Sequence, residues 1–563
     1  MIRALTRHTR VAATLLMALL LSSCGSGSGA STPPPPPSAA APPTTAELVA
    51  ASRFAANATF GLAFGDIEVL AAEGRDAWLD RQFSLPVGSH TPIVADLVQR
   101  RDAGEFAQFE QDIEYLILFR RLAWWHQTVT APDALRQRVA FALSEIFVVS
   151  DNVDSLIINP FALSGYYDML LKNAFGNFRN LLRDVTLHPA MGIYLSHVNN
   201  RKSDPANNIF PDENYAREVM QLFSIGLFEL NLDGSQKLDS DGRPIATYTN
   251  TEIREFAKIF TGLSFGGPNA AFGNPLPDFL SPMQMFEAQH EAGQKRLLNG
   301  TVVPAGQSGV ADIESALDNL FHHPNVGPFI GKQLIQRLVT SNPSPAYIER
   351  VARAFNGDIT GVRGDMRAVI RAILADPEAI ALPSAASNFG KLREPVVRYA
   401  SLLRQFGASS DDGFIANTGY FVQELGKQHP LSAPSVFNFF LPAHSPAGEI
   451  AAAGLVAPEF QIATSNSIVG FTNLVDFVVL ADFVTDSPPP FAPVSLVYDE
   501  YVSIADDVDA LLDRLDIVLT AGTLDVATRQ AIKATVSDIA DLNLRARIAA
   551  YMFLISSDYA VRR

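Results

Sequence analysis

A mainly α fold, a multi-helical two-lobed body carrying a small β-hairpin insert, is predicted by three observations. Apolar residues recur at three- and four-residue spacing through most of the chain, alternating stretches are scarce, and the globular part of about 500 residues exceeds the usual size of one core.

The chain opens with a segment that reads as an address and not as a fold element. Arg3, Arg7 and Arg10 form a positive region, Val11 to Leu21 form an apolar run too short to span a bilayer comfortably, and Leu21-Ser22-Ser23-Cys24 follows. Residues 1–23 are therefore expected to be a lipoprotein signal peptide, with Cys24 as the lipidation site. More than one acyl chain, palmitate among them, gives stable membrane anchoring where a single chain is marginal. Gly25 in place of an aspartate fits export to the outer membrane, so the expected location is the cell envelope, lipid-anchored. Cys24 is the only cysteine, and its lipidation excludes disulfides, thiolate metal ligands and a cysteine nucleophile together. The formal net charge of −16 becomes more negative once the signal's arginines are removed, which excludes nucleic acid as a partner and leaves the lipid as the route to the membrane.

Residues 24–46 pair the lipidated cysteine with a Gly/Ser-rich and then Pro-rich linker, Pro33 to Pro37 being unbroken, a composition that favours extended polyproline II. Residues 47–485 form the helical body. Helices are predicted over Leu135–Val149, Tyr166–Leu182, Tyr215–Phe228, Glu252–Thr261, Ile313–Leu320, Val326–Leu338 and Met366–Leu374. Asp233-Gly234 and Asp241-Gly242 separate short alternating stretches, which predicts the hairpin insert between Asn231 and Thr249. Ser465 to Val484 is apolar, but Asp476 and Asp482 make it a core helix and not a membrane span. Residues 486–563 comprise a Pro-rich loop and a C-terminal helical cap, with helices over Val508–Leu519 and Leu542–Leu554.

The densest polar constellation is Asp212-Glu213-Asn214-Tyr215-Ala216-Arg217-Glu218. Asp212 after Pro211 suits an N-cap, Glu213 and Arg217 share one helical face, and Asn214 and Glu218 share the neighbouring one. A capped surface helix with a salt bridge is the plain account. The bulky residues Tyr215, Met220, Leu222 and Phe223 argue instead for partial burial, with Arg217 paired inside and the carboxylates Glu213 and Glu218 available for acid–base or ligand work.

This run, continued by Gln221-Leu222-Phe223-Ser224-Ile225-Gly226, resembles the signature of the bacterial family called "domain of unknown function 1800". Arg53-Phe54, Leu135-Arg136-Gln137-Arg138, Leu187-His188-Pro189, His322-His323-Pro324-Asn325, Lys391-Leu392-Arg393-Glu394-Pro395, Pro434-Ser435-Val436-Phe437-Asn438-Phe439 and Ser556-Ser557-Asp558-Tyr559 agree with it in order. The resemblance implies export and, as a possible partner, a sulfatase-like or phosphatase-like exported protein encoded nearby; it implies no established activity. The chain departs from the family pattern at Leu143-Ser144-Glu145-Ile146-Phe147, where many relatives carry a tryptophan and histidines, and at Glu291 after His290, where an aspartate is usual.

His290, in a loop beside Glu291, fits a general base, a metal ligand or a loop-pinning hydrogen-bonder. No His-Glu-x-x-His motif or complete calcium loop is present, so no metal is assigned and the cofactor is left unknown. Gly262-Leu263-Ser264-Phe265-Gly266 has the spacing of a nucleophile elbow but the wrong flanking elements. Two readings follow. In one, an envelope binding or accessory protein works with a neighbouring exported hydrolase. In the other, a hydrolase or lyase acts on a surface polymer, with Glu213, Arg217, Glu218 and His290 as the catalytic set and Asp212, Asn214 and Tyr215 supporting it. The first assumes least.

Overall fold

The computed structural model describes residues 42–106, 114–381 and 388–563. Cys24, the signal peptide and all of the linker before Pro42 lie outside the described residues. Pro43–Arg563 clusters as one compact unit. Its main hydrophobic core runs from Leu48 to Tyr559, and a smaller one gathers Val94, Leu97, Phe119 and Phe491. The mainly α class holds, and the two lobes anticipated from length meet a body in which the first and last described helices share one core.

Among the described residues, sheet is confined to four two-stranded antiparallel pairs. One of them closes the body, pairing Lys391–Leu392 with Val561–Arg562. Ser52 Oγ, on the first helix Thr45–Ala58, donates to the Ile517 carbonyl, so the C-terminal helices pack on the N-terminal one. The insert is a ribbon of tight turns: Thr247 donates to the Leu227 carbonyl, Glu229 to Ile245, and Asp239 accepts at its carbonyl from Gly242 while its own amide donates to Arg243. The Asp239 carboxylate accepts from the amides of Asp241 and Arg243, which is turn chemistry and not calcium ligation.

Val326–Leu338, Met366–Leu374 and Leu542–Leu554 are helices with the predicted bounds. Others are shorter. The predicted Tyr166–Leu182 helix is two, Pro160–Asn173 and Phe178–Leu187, because Asn177 caps the second by accepting from the Arg179 amide. The signature helix ends at Gln221 and not at Phe228, and Ser224 Oγ there turns back to bond the Val219 carbonyl. Gly226 then adopts φ 72°, where a Cβ would lie 2.7 Å from the Phe329 ring, so only glycine passes that ring without displacing it.

The Ala134–Ser144 helix is buried on every side, arginines included. Arg136 donates to the Leu171 carbonyl and lies over the Phe175 ring, and Arg138 donates to the Arg337 carbonyl. Ser465–Val475 is a helix that continues as a π turn through Leu480. Among the described residues, no helix is long and apolar enough to cross a membrane.

Candidate functional site

The signature helix Asn214–Gln221 takes Glu213 and not Asp212 as its N-cap; Asp212, one residue earlier, still accepts from the Asn214 amide at 2.8 Å, which turns the chain into the helix. Its two faces then diverge. Tyr215 is fully buried, its hydroxyl 2.7 Å from Thr186 Oγ1 and its ring stacked 3.9 Å from that of His197. Arg217 lies on the opposite side, its side chain 41% exposed, and meets Glu213, itself 39% exposed, at 3.5 Å. Arg254 from the next helix approaches Glu213 at 3.7 Å, also in solvent. The expected burial of Arg217 is therefore corrected. A guanidinium on a long stem reaches water past the bulky neighbours that bury the Tyr215 face. Asn214 is exposed as well.

Glu218 is the one carboxylate of the run that turns inward. It is buried, Oε2 has no hydrogen-bond partner, and burial raises its pKa despite the nearby charge of Arg217.

His290 is elsewhere and closed in. Nδ1 lies 2.9 Å from the Thr261 carbonyl, Nε2 lies 3.0 Å from Asp312 Oδ2, and Lys295 Nζ lies 3.2 Å from the same ring nitrogen. Lys295 also bonds Asp312 and the Glu291 carbonyl. All three side chains are at most 1% exposed. This is a dry brace between the loop and the Gly309–Phe321 helix. Glu291 accepts from the Ser203 amide and so ties the same loop to the chain before the signature helix. Ser264 of the elbow-like motif is buried and donates to Asn199, which leaves it no access to substrate.

A buried ionic network that sequence reading missed lies elsewhere in the body. Glu145, Arg138, Arg337, Lys391, Glu394 and Glu459 come from four separate stretches and are all buried. Lys391 Nζ bridges Glu459 at 2.9 Å and Glu394 at 3.7 Å, and donates to the carbonyls of Gln336 and Arg337. Arg337 Nε lies 3.7 Å from Glu145 Oε2, while Asn438 donates to Glu145 Oε1. Burial pushes the Glu145 carboxyl well above the usual range, and the adjacent Glu394 adds to this against Arg337 and Lys391. For Glu394 burial acts in the same upward direction, but Lys391, the hydrogen bond from Glu145 and the two arginines outweigh it. Burial and their mutual repulsion thus drive the two carboxyls apart, Glu145 upward and Glu394 downward. The only local signal was Glu145 in an otherwise apolar helix end and the charges of the Lys391–Glu394 motif.

Glu145 and Arg337 of this network line a cavity of about 540 Å³, walled by Leu222, Leu227, Phe228, Phe329, Phe437 and Leu441. Gln221 and Leu222 of the signature run line it, whereas Glu213, Arg217, Glu218 and His290 line neither it nor the cavities of about 640 and 720 Å³ elsewhere. Among the described residues, no group of three or more histidine, cysteine, aspartate or glutamate side chains is placed to hold a metal ion.

Residues 53–561 match the family model described as protein of unknown function (DUF1800), and the chain belongs to that family. No curated protein and no solved structure matches it.

Proposed function

We propose that this member of the family is a binding or accessory protein of the cell envelope, held at the outer membrane through lipid on Cys24 and working with a sulfatase-like exported hydrolase encoded nearby. One observation carries the preference over a hydrolase or lyase acting through the Asp212–Glu218 run: the four residues such chemistry needs do not converge. Glu213 and Arg217 face solvent, Glu218 turns inward, and His290 is spent on Asp312 and Lys295. General acid–base work requires groups within hydrogen-bond reach of one reacting atom, and this arrangement offers no such point.

The test is co-expression of the full chain with the neighbouring hydrolase, followed by measurement of complex formation and of the hydrolase's specific activity. The accessory role predicts a stable complex and a changed activity; the absence of both contradicts it. Polymer cleavage by the chain alone, lost in Glu213→Gln/Glu218→Gln, would establish the enzymatic alternative. For the anchor, Cys24→Ser should shift the protein out of the detergent-extracted membrane fraction, and unchanged fractionation with unchanged mass would reject lipidation.

A further inference from the structure

The cavity over the buried network has the construction of a ligand site. Its walls are apolar and three of them are phenylalanines, Phe228, Phe329 and Phe437. Its mouth leaves Leu227, Phe228, Phe437 and Leu441 substantially exposed, an apolar cluster that a folded body does not ordinarily leave to water. About 540 Å³ lies within the range that encloses most of a small molecule.

The floor adds an independent observation. Gln336 is 3% exposed, and its Nε2 donates to the carbonyls of Ser341 and Pro442 at 3.0 and 3.1 Å, which fixes the amide's orientation. Its Oε1 is left buried with no partner, and it lines the cavity. Gln333 Nε2, about one turn earlier on the same face of the Val326–Leu338 helix, is likewise buried without an acceptor, and Gln333 lines the cavity too. An unmatched acceptor and an unmatched donor at one apolar floor each carry a desolvation cost that a suitable ligand removes.

We infer that this cavity binds a small amphipathic molecule whose apolar body rests on the phenylalanines and whose uncharged head both donates and accepts hydrogen bonds, as a primary carboxamide does. The head donates to Gln336 Oε1 and accepts from Gln333 Nε2. A charged head is disfavoured because a carboxylate cannot donate to Gln336 Oε1 and an ammonium cannot accept from Gln333 Nε2, so either leaves one buried floor group unmatched. The inference does not depend on the accessory role, since the cavity is complete within the chain.

The test uses the full chain in lipid nanodiscs, with empty nanodiscs as control, and ligand-observed NMR titration with 3-phenylpropanamide, 3-phenylpropanoate and 3-phenylpropylamine. The amide should bind roughly tenfold or more tightly than either charged analogue, the effect of one matched buried hydrogen-bonding pair. Gln333→Leu should remove that preference, and Leu227→Trp, at an exposed position of the mouth, should weaken all three probes while leaving the circular dichroism spectrum unchanged. Absence of saturable amide binding, equal affinity for the three probes, or amide affinity unmoved by both variants overturns the proposal. Failure of hydrolase capture, by contrast, leaves this result untouched.

Discussion

The outer face of the signature helix and the buried network beneath the cavity contain the same kinds of residue and do opposite things. Glu213, Arg217 and Arg254 are close in sequence or on adjacent helices, and they pair loosely in water. Glu145, Arg337, Lys391, Glu394 and Glu459 are scattered over more than half the chain, yet they meet without solvent. Local charge density is thus a poor guide to where electrostatics matters. An ion on a crowded polar face keeps its water, whereas a lone ion inside an apolar segment must find its partner across the fold or lose its charge.

The largest effect expected from this contrast is at a second buried site. Asp312→Ala removes the one carboxylate that Lys295 and His290 share inside the body, and should lower unfolding free energy by about 3–5 kcal/mol in urea titration. A loss under about 1 kcal/mol would place that brace with the surface pairs.

Next comes acid lability. Burial lowers His188 and His197 to a pKa of about 4, with the carbonyls of Gly165 and Thr186 opposing the shift only in part. The unfolded chain takes up those protons near pH 6.5 and the folded chain does not, so stability falls as pH drops from about 6.5 to about 4 and levels off below. The cost is about 3 kcal/mol for each histidine at most. His197→Gln, which keeps a donor for the Thr186 carbonyl, should flatten part of that slope; a slope identical to wild type would contradict neutral burial of His197. Because His197 stacks on Tyr215, this variant reports on the inner face of the signature helix.

Arg217→Ala should have the smallest effect, at most about 1 kcal/mol in the same urea titration, because its pair with Glu213 is solvent-exposed. A cost near that of Asp312→Ala would mean that the helix packs against something that covers Arg217.

The sequence made the class and several helices legible because apolar periodicity is a local property: Val326–Leu338 and Met366–Leu374 could be delimited from spacing alone. Side-chain caps were harder to anticipate. The break at Asn177 depends on an amide side chain competing for the backbone, and the early end after Gln221 on the Ser224 hydroxyl doing so, with Gly226 turning the chain through a positive φ. His188 sits at the junction of two helices, where its ring accepts from the Ala190 amide, and Pro189 after it is the local mark of that boundary. The inward turn of Glu218 was within reach, since it shares a helix with Tyr215, but the outward reach of Arg217 was not, because stem length and not position decides it. Glu145 and Lys391 carried little signal of each other, for a partner nearly 250 positions away leaves no trace in spacing.

Two double-mutant cycles, run side by side by urea unfolding, test the contrast most directly: Lys391→Met with Glu459→Gln for the buried pair, and Arg217→Ala with Glu213→Gln for the exposed one. The account predicts a coupling energy above about 1.5 kcal/mol for Lys391 and Glu459, which lie 2.9 Å apart in the interior, and below about 0.5 kcal/mol for Arg217 and Glu213. Equal couplings, or a larger one at Arg217, would contradict it.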